Sequence, residues 1–423
     1  MTSLPIGQLF NIEKGVLQSS KCEPGEYHFL TAGEEWKTHK TYSHECEALV
    51  FAAAASGSLG RTHYVNGKFT ASDLCFILTP KDEIQYPIDF NFYHFVFNSL
   101  RKLIVTATTR GSSKPSINIT NFSSYPIQYF DIVLQREWTK KLYNVRELNN
   151  NFSSELSHQE SLLTQLRQAI LREAVQGKLV PQNSDDEPAF ELLNRIKTEK
   201  ERLLAQGNIR KEKPLTPITA EEMPFGLPRG WVWCRLGEIV SVLGDGLHGT
   251  PQYTTDGEYY FINGNNLING KIEIKFNTKR VSVIEYEKYK KDMNANSVLV
   301  SINGTLGNLA FFQNEKIILG KSACYFNLME GVNKHYVGYI IKSEYFLKYA
   351  VDVASETTIK NVSLKSMRYL PIPMPSMAEQ QRIVNKINFL FATCDLLEKR
   401  IEENAQRSEL LLQAVLKEAF EGK

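Results

Sequence analysis

Gln168-Ala-Ile-Leu-Arg-Glu-Ala-Val-Gln-Gly-Lys178 returns at the end of the chain as Gln413-Ala-Val-Leu-Lys-Glu-Ala-Phe-Glu-Gly-Lys423, at an offset of 245 residues. Most differences between the two preserve apolar character or charge. The same offset sets Ile117-x-Ile119-x-x-Phe122 against Val362-x-Leu364-x-x-Met367, and Pro126-Ile127 against Pro371-Ile372. An offset of 247 sets Gly57-Ser-Leu-Gly60 against Gly304-Thr-Leu-Gly307. A repeat of this length decides the architecture before any local motif does. One chain holds two copies of one module. Similar but non-identical copies predict a protein that touches two similar but non-identical things.

The stretch that ends in the second copy, Met377 to Phe420, is the most regular in the chain. Positions 383, 387, 390, 394, 397, 401, 404, 408, 411 and 415 advance in alternating steps of four and three. They hold Ile, Ile, Leu, Cys, Leu, Ile, Asn, Ser, Leu and Val, with charge on other faces at Glu398, Lys399, Arg400, Glu402 and Glu403. That spacing predicts a coiled-coil seam. Subtracting the offset gives Trp138, Leu142, Val145, Asn149, Phe152, Leu156, Gln159, Leu163, Leu166 and Ile170, so the seam repeats. Gln159 and Asn404 hold equivalent seam positions and read as register devices. A helix of roughly 40 residues would be roughly 60 Å long. Two of them most economically bury their seams on each other, antiparallel, relating the modules by a pseudo-twofold axis and holding them apart. Gly177 and Gly422 stand where C-terminal glycine caps are expected.

Each helix follows a segment of short β-rich runs. Val298 to Ile302, Ala310 to Phe312, Lys316 to Leu319 and Ala323 to Phe326 read as strands, with turns at Asn263-Gly264 and Asn303-Gly304. The first module offers Ala48 to Ala55, Tyr64-Val65 and Leu74 to Leu78; Asp89 to Leu100 and Lys334 to Tyr349 each read as one helix. The expected fold class is α+β: two α/β modules with mainly antiparallel sheets, separated by a pair of long antiparallel coiled-coil helices. The expected boundaries are 1–130 for the first module, 131–180 for the central helix and 181–226 for a linker. The second module takes 227–376 and the C-terminal helix 377–423. Within the linker Glu191 to Gln206 reads as a short helix, and the remainder is charged and proline-bearing.

Composition sets the outer bounds. A chain of 423 residues carries a prior of two to three domains. Its 42% hydrophobic and 23% charged content is ordinary for a soluble globular protein. Net charge is only +2, so a polyanion would have to be met by local basic patches. Cys22, Cys46, Cys75, Cys234, Cys324 and Cys394 form no C-x-x-C pair, which argues against zinc and a disulfide framework and suits a reducing cytoplasm. No secretory apolar region follows Met1, and no apolar run is long enough to span a bilayer.

A series of motifs then narrows the reading. Gly177-Lys-Leu-Val-Pro-Gln182 leads to Asp186-Glu-Pro-Ala189, Glu191-Leu-Leu-x-Arg-Ile196 and Lys211-x-Lys-Pro-Leu215. Leu227-Pro-x-Gly-Trp-x-Trp233, Leu236-Gly-Glu-Ile239, Pro371-Ile-Pro-Met-Pro375, Glu379-Gln-x-Arg-Ile-Val384 and Glu418-Ala-Phe-Glu-Gly-Lys423 complete it. In this order they resemble the specificity subunit of Type I restriction–modification systems, closely over roughly residues 165 to 423 and more loosely in the first module. The resemblance implies two target recognition domains, each reading one half of a split sequence in double-stranded DNA. It implies helices that set the gap and dock two methyltransferase subunits, which bind S-adenosylmethionine. Restriction subunits using Mg and ATP join them, and the specificity subunit itself is not catalytic. Half-sites on one face of B-DNA recur about every 34 Å, a plausible match for such a helical spacer. Divergent modules predict a non-palindromic target. The sequence departs from the family pattern where nothing like Leu227-Pro-Arg-Gly-Trp-Val-Trp233 precedes Ile6-Gly-Gln-Leu9, and where Pro126-Ile-Gln-Tyr-Phe130 lacks a proline-rich exit.

Candidate DNA contacts are basic, because Lys and Arg that neutralise phosphates release counterions. They are Arg61, Lys68, Arg101, Lys102, Arg110 and Lys114 in the first module, and Lys271, Lys275, Lys279, Arg280, Lys360, Lys365 and Arg368 in the second. Two loops equivalent at offset 245 mix cations with hydroxyls, a mixture that suits phosphates and base edges together. They are Arg110-Gly-Ser-Ser-Lys-Pro-Ser116, with Ser112, and Ser355-Glu-Thr-Thr-Ile-Lys-Asn361, with Thr357 and Thr358. The bland alternative for each is a solvated turn. Gly244-Asp-Gly-Leu-His-Gly249 fits G-x-G-x-x-G, but Thr250-Pro251 follows where a dinucleotide site needs a helix. In the resembled family a Gly-x-His-x-Thr-Pro stretch often opens the recognition domain, which would put His248 and Thr250 near DNA; the alternative reading is a structural loop.

Catalytic motifs fare poorly. No Pro-Pro pair exists to supply an adenine-methyltransferase signature, and Glu315 stands where a P-loop ending in Gly320-Lys-Ser322 needs glycine. His39, His44 and Cys46 are the nearest approach to a metal cluster and have no second ligand pair. The rival readings are a structural adaptor with two protein-binding modules on a coiled-coil spacer, and a fused single-chain enzyme, which the missing cofactor motifs disfavour.

Overall fold

The computed structural model describes residues 2–55, 57–110, 115–354 and 360–421. Packing divides it into two units, one running to His158 and resuming at Ile401, the other Gln159–Arg400. The first unit begins with β1 (Thr2–Pro5), α1 (Ile6–Leu9), β2 (Phe10–Lys14), β3 (Tyr27–Leu30), β4 (Lys37–His39), β5 (His44–Ala52), β6 (Thr62–Ala71) and β7 (Cys75–Pro80). Then come α2 (Phe90–Ser99), α3 (Arg101–Thr108), the ribbon of β8 (Thr109–Arg110) and β9 (Ser116–Ile117), α4 (Ile119–Ser124) and β10 (Pro126–Tyr129).

One six-stranded sheet in the order β2-β7-β5-β6-β3-β4 dominates this unit, antiparallel throughout except where β3 runs parallel to β6. Its central strand explains the unbroken apolar run that starts at Ala48. Leu49 and Phe51 face a core with Phe10, Phe92, Tyr93, Phe97 and Phe122. Ala48, Val50 and Ala52 face a second core with Leu30, Val65, Phe69 and Ile77. A strand covered on both faces has no reason to alternate. Each fully buried Phe contributes roughly 2–3 kcal/mol from water exclusion.

α5 (Ile132–Val175) leaves β10 and supplies residues to both units, and α6 (Ala189–Ala205) lies in the linker. The second module contains β11 (Val232–Arg235), β12 (Val240–Asp245), β13 (Tyr253–Thr254), β14 (Tyr259–Ile262), β15 (Leu267–Ile268), β16 (Lys271–Ile272) and β17 (Arg280–Val281). It continues through α7 (Val283–Tyr289), β18 (Ser297–Ser301), β19 (Leu309–Phe311), β20 (Ile317–Leu319) and β21 (Ala323–Leu328). α8 (Lys334–Lys342), α9 (Glu344–Val353), α10 (Leu364–Tyr369), β22 (Pro371–Met374) and α11 (Met377–Glu421) finish the chain. The sheets are β12-β21-β18-β19 and β13-β17-β14-β20, with only β14 and β20 parallel.

The two modules share one hydrogen-bond plan. β1 pairs with β10 as β11 pairs with β22, and Ile6 N bonds Tyr125 O as Leu236 N bonds Leu370 O. Asn118 caps α4 as Ser363, at the equivalent position, caps α10. Ser72 N bonds Leu30 O as Gly320 N bonds Ile262 O. The difference lies in β6. That single strand is replaced in the second module by β19 and β20, which a turn through Asn314, at φ +66°, keeps apart. The helix expected over Lys334 to Tyr349 is also divided. Ser343 adopts an extended φ of −79° and ψ of 156° between α8 and α9, with its hydroxyl bonded to Ile340 O.

The fold class is α+β, two sheet-rich modules with long helices of 44 and 45 residues. Within each unit the helices run antiparallel. In the first, Asn149 meets Ser408 at 2.7 Å while Leu142 shares a core with Ala419 and Phe420. In the second, Arg167 bonds Asp395 at 2.6 Å and Glu398 at 3.1 Å, while Ile170 and Ala174 share a core with Ile383 and Ile387. α5 ends in a Schellman motif: Gly177, at φ +69°, bonds Ala174 O, and Lys178 N bonds Glu173 O. A Cβ at Gly177 would lie 2.5 Å from Pro228, so only glycine fits. Gly422 lies outside the described residues. Among those described, no helix is long and apolar enough to cross a membrane.

Candidate nucleic-acid interface

Both modules open with a loop held by the same contacts. Gly15 N bonds Cys75 O, and Gly246 N bonds Ala323 O; Leu17 then bridges Ser72 as Leu247 bridges Gly320. In the second module this loop carries the Gly-x-His-x-Thr-Pro stretch. His248 and Thr250 are exposed, His248 pairs with Asp245, and Pro251 is buried as an anchor. The chain leaves into β13 with no helix, so the glycine pattern cradles no dinucleotide. In the first module the same place is held by Gln18, Ser19 and Ser20, polar residues that inspection of motifs passed over.

The basic candidates fall into different settings. Arg280 on β17 and Lys279 just before it are exposed, with Lys279 Nζ 6.0 Å from the Tyr253 ring and the Arg280 guanidinium 5.4 Å from the Tyr260 ring. Lys68 on β6 lies 4.9 Å from the Tyr42 ring and 3.8 Å from Glu45. Arg61 leans towards Glu34 at 3.6 Å, and Lys275 Nζ donates to Asn265 O at 3.1 Å. Arg101 holds the turn below it by donating to Leu59 O and Gly57 O, and Arg368 is tied to the linker through Glu212 and Lys213 O. Lys102, Lys271 and Lys365 are exposed. Lys360 is exposed, and its carbonyl accepts from Gly304 N. Ser112, Lys114, Thr357 and Thr358 lie outside the described residues, as does the side chain of Arg110. The loops bearing them end at equivalent bridges, Ser116 with Ala54 and Asn361 with Asn303.

The motif residues between 177 and 384 meet in space. Glu379, buried at the start of α11, accepts from Trp231 Nε1 at 2.9 Å and Gln182 Nε2 at 2.6 Å. Burial pushes its carboxyl upward despite these donors. Arg382 holds Asp186 at 3.0 Å, and this bond keeps that carboxyl below its usual range. Arg235, 2% exposed, grips Glu222 through both carboxylate oxygens and reaches Thr216 O, Pro217 O and Tyr369 O. Linker, second module and helix ends are thereby locked to one another within the second unit.

On the helices, burial separates the seam into two rows. Leu142, Leu156, Ile170, Ile387, Cys394 and Ile401 are buried, with Leu163 and Val415 partly so. Phe152, Leu166, Leu397 and Leu411 are 40–65% exposed, Asn404 is exposed and Gln159 half-buried. Leu396 in the second unit and Leu410 in the first are exposed as well.

Two modules on one plan, each joined to a long helix and each showing a different polar edge, define a duplicated recognition scaffold. The chain belongs to the family described as the Type I restriction modification DNA specificity domain, whose model matches residues 1–156 and 228–406. It is 32% identical over 292 residues to the EcoAI specificity subunit of a Type I restriction enzyme from Escherichia coli, covering 65% of this chain and 49% of that one. It is 21% identical over 437 residues to the Escherichia coli EcoDI specificity subunit, covering 99% and 88%. The chain spans about half the length of the EcoAI and EcoEI subunits it matches. Among solved structures, a chain from work on complex assembly and conformational transition of the type I R-M system is similar in fold, with TM-score 0.62 and 15% identity over 99% of this chain and 97% of that one. The HsdS subunit from Thermoanaerobacter tengcongensis gives TM-score 0.52 and 14% identity over 100% and 96%. Nothing in these likenesses favours the adaptor reading.

Proposed function

We propose that this chain is the DNA-sequence-specificity subunit of a Type I restriction–modification complex. Each module reads one half of a bipartite, asymmetric target, and the long helices set the gap and dock methyltransferase subunits. The chain itself performs no chemistry. S-adenosylmethionine belongs to the methyltransferase partners, and Mg and ATP to restriction subunits. It works in the cytoplasm, where its six free cysteines stay reduced. The observation that carries this reading is one specificity-family model matching both copies of a duplicated module. Apolar residues exposed on the helices, Phe152, Leu410 and Leu411 in the first unit and Leu166, Leu396 and Leu397 in the second, support docking, since exposed apolar patches mark protein interfaces. A gel shift with the partner methyltransferase tests the proposal. Binding that weakens steeply with salt is expected; an assembled complex that leaves DNA unshifted at low salt would refute it.

A further inference from the structure

Comparing the two modules strand by strand exposes a second repeat, offset by 232 residues. Gly25-Glu-Tyr-His-Phe-Leu30 stands against Gly257-Glu-Tyr-Tyr-Phe-Ile262. These are β3 and β14, which run parallel to β6 and β20 respectively. Phe29 pairs with Lys37, and Phe261 N bonds Lys279 O, so those lysines are equivalent. His28 pairs with Phe69 and Tyr260 with Ile317, which makes Lys68 and Lys316 equivalent too. Cross-strand partners share a face. Tyr27, Lys37 and Lys68 therefore project from one side of their sheet, as do Tyr259, Lys279 and Lys316.

In each module a pair of tyrosines lies beside one of these lysines. Tyr27 packs on Tyr42 with centroids 4.9 Å apart, and Tyr259 stacks on Tyr286 at 4.2 Å. Lys68 lies 4.9 Å from the Tyr42 ring, and Lys316 lies 5.5 Å from the Tyr259 ring. Within each module the two lysines stand two strands apart, roughly 10 Å. Between the equivalent strands the chain diverges. Thr31-Ala-Gly-Glu-Glu-Trp36 in the first module is replaced in the second by a much longer segment, residues 263–278, containing β15 and β16.

We infer that this tyrosine–lysine face is a sequence-independent contact to the DNA backbone, built once into each module. The inference rests on the DNA-reading function proposed above. Two modules that read different bases still meet the same phosphates, so the parts they keep in common are those that answer to the backbone. Lysine supplies a point charge, and tyrosines beside it present hydroxyl donors. Glu45 at 3.8 Å from Lys68 and Glu258 at 3.4 Å from Lys316 already pair with these lysines. Both pairs are exposed, and such pairs contribute only about 0–1 kcal/mol, so a phosphate displaces the carboxylate.

The test uses the full chain bound to its partner methyltransferase. Lys37→Gln with Lys68→Gln, and Lys279→Gln with Lys316→Gln, are titrated with a duplex carrying the sequence methylated in the host and with a shuffled duplex. Each double variant should weaken both duplexes alike, by about fivefold per lysine at 0.15 M salt, and should lower the slope of log affinity against log salt by about 0.9 per lysine. The methylated sequence should stay the same. A slope equal to wild type overturns the inference while leaving the DNA-reading function intact, and so does a loss confined to the target duplex. Loss of methyltransferase assembly in place of DNA affinity would assign the face to protein instead. A wild-type complex that binds neither duplex removes the DNA-reading function and this contact with it.

Discussion

At the scale of single residues, the lock around Glu379 has measurable consequences. Its carboxylate is the shared acceptor for Trp231 and Gln182; Trp231 is buried, whereas Gln182 is exposed and also donates to Gly177 O. Glu379→Ala leaves the buried Trp231 Nε1 short of a partner and opens a cavity. We expect a loss of about 1–3 kcal/mol in the unfolding of the second unit by urea, the cost of one orphaned buried polar group. A loss below about 0.5 kcal/mol would show that water replaces the carboxylate. In the first unit His63 accepts from Trp36 Nε1 at 3.2 Å and donates through Nε2 to Gly33 O at 2.8 Å. Burial is the main reason its imidazole is held below the ordinary histidine range. The fold therefore favours the neutral ring, so this stability is complete above about pH 6.5 and declines as the pH falls below it. Melting temperature should drop faster between pH 7 and 5 in the wild type than in His63→Gln; parallel curves would contradict that. Sequence inspection quoted Gln182, Asp186, Trp231, Glu379 and Arg382 as separate motifs. That they form one cluster was not legible, because nothing in a linear spacing says that residues 182, 231 and 379 meet.

At the scale of elements, the alternation of fours and threes located both long helices, because charge and apolar character separate cleanly around them. It could not separate the buried row from the exposed one, since both rows carry leucine. Truncation distinguishes them. Leu142→Ala should cost about 2–4 kcal/mol, as deletions in a packed core do, whereas Leu410→Ala should stay within about 0.5 kcal/mol. Leu396→Asp with Leu410→Asp should leave the melting profile unchanged and reduce co-purification of the methyltransferase; full recovery of the partner would show that it docks elsewhere. The strands were legible where they are short and bounded by turns. β6 was seen only through Tyr64-Val65, because its polar Asn66-Gly67-Lys68 hides a continuous strand of ten residues. The break between α8 and α9 was missed for the opposite reason: Ser343 interrupts a helical pattern without disturbing its apolar period.

At the scale of the whole molecule, the repeat was readable at its C-terminal side because the path from the last loop of each module through the helix has constant length. The offset of 245 found there falls to 232 at Gly25-Glu-Tyr and to 230 at β1 and β11, since the loops between differ in length. A search at one offset recovers only part of each module. It also leaves Lys37 and Lys316 anonymous. On the function proposed above, the duplication has one consequence above all, that each module governs its own half of a split target. Mapping methylated adenines across the genome of a host carrying this chain and its methyltransferase tests that most directly, first with the native chain and then with residues 232–374 exchanged for those of a relative. We expect a two-part methylated sequence in which the exchange rewrites one half and leaves the other untouched. A change in both halves, or a continuous palindromic site, would contradict the division of labour between the modules.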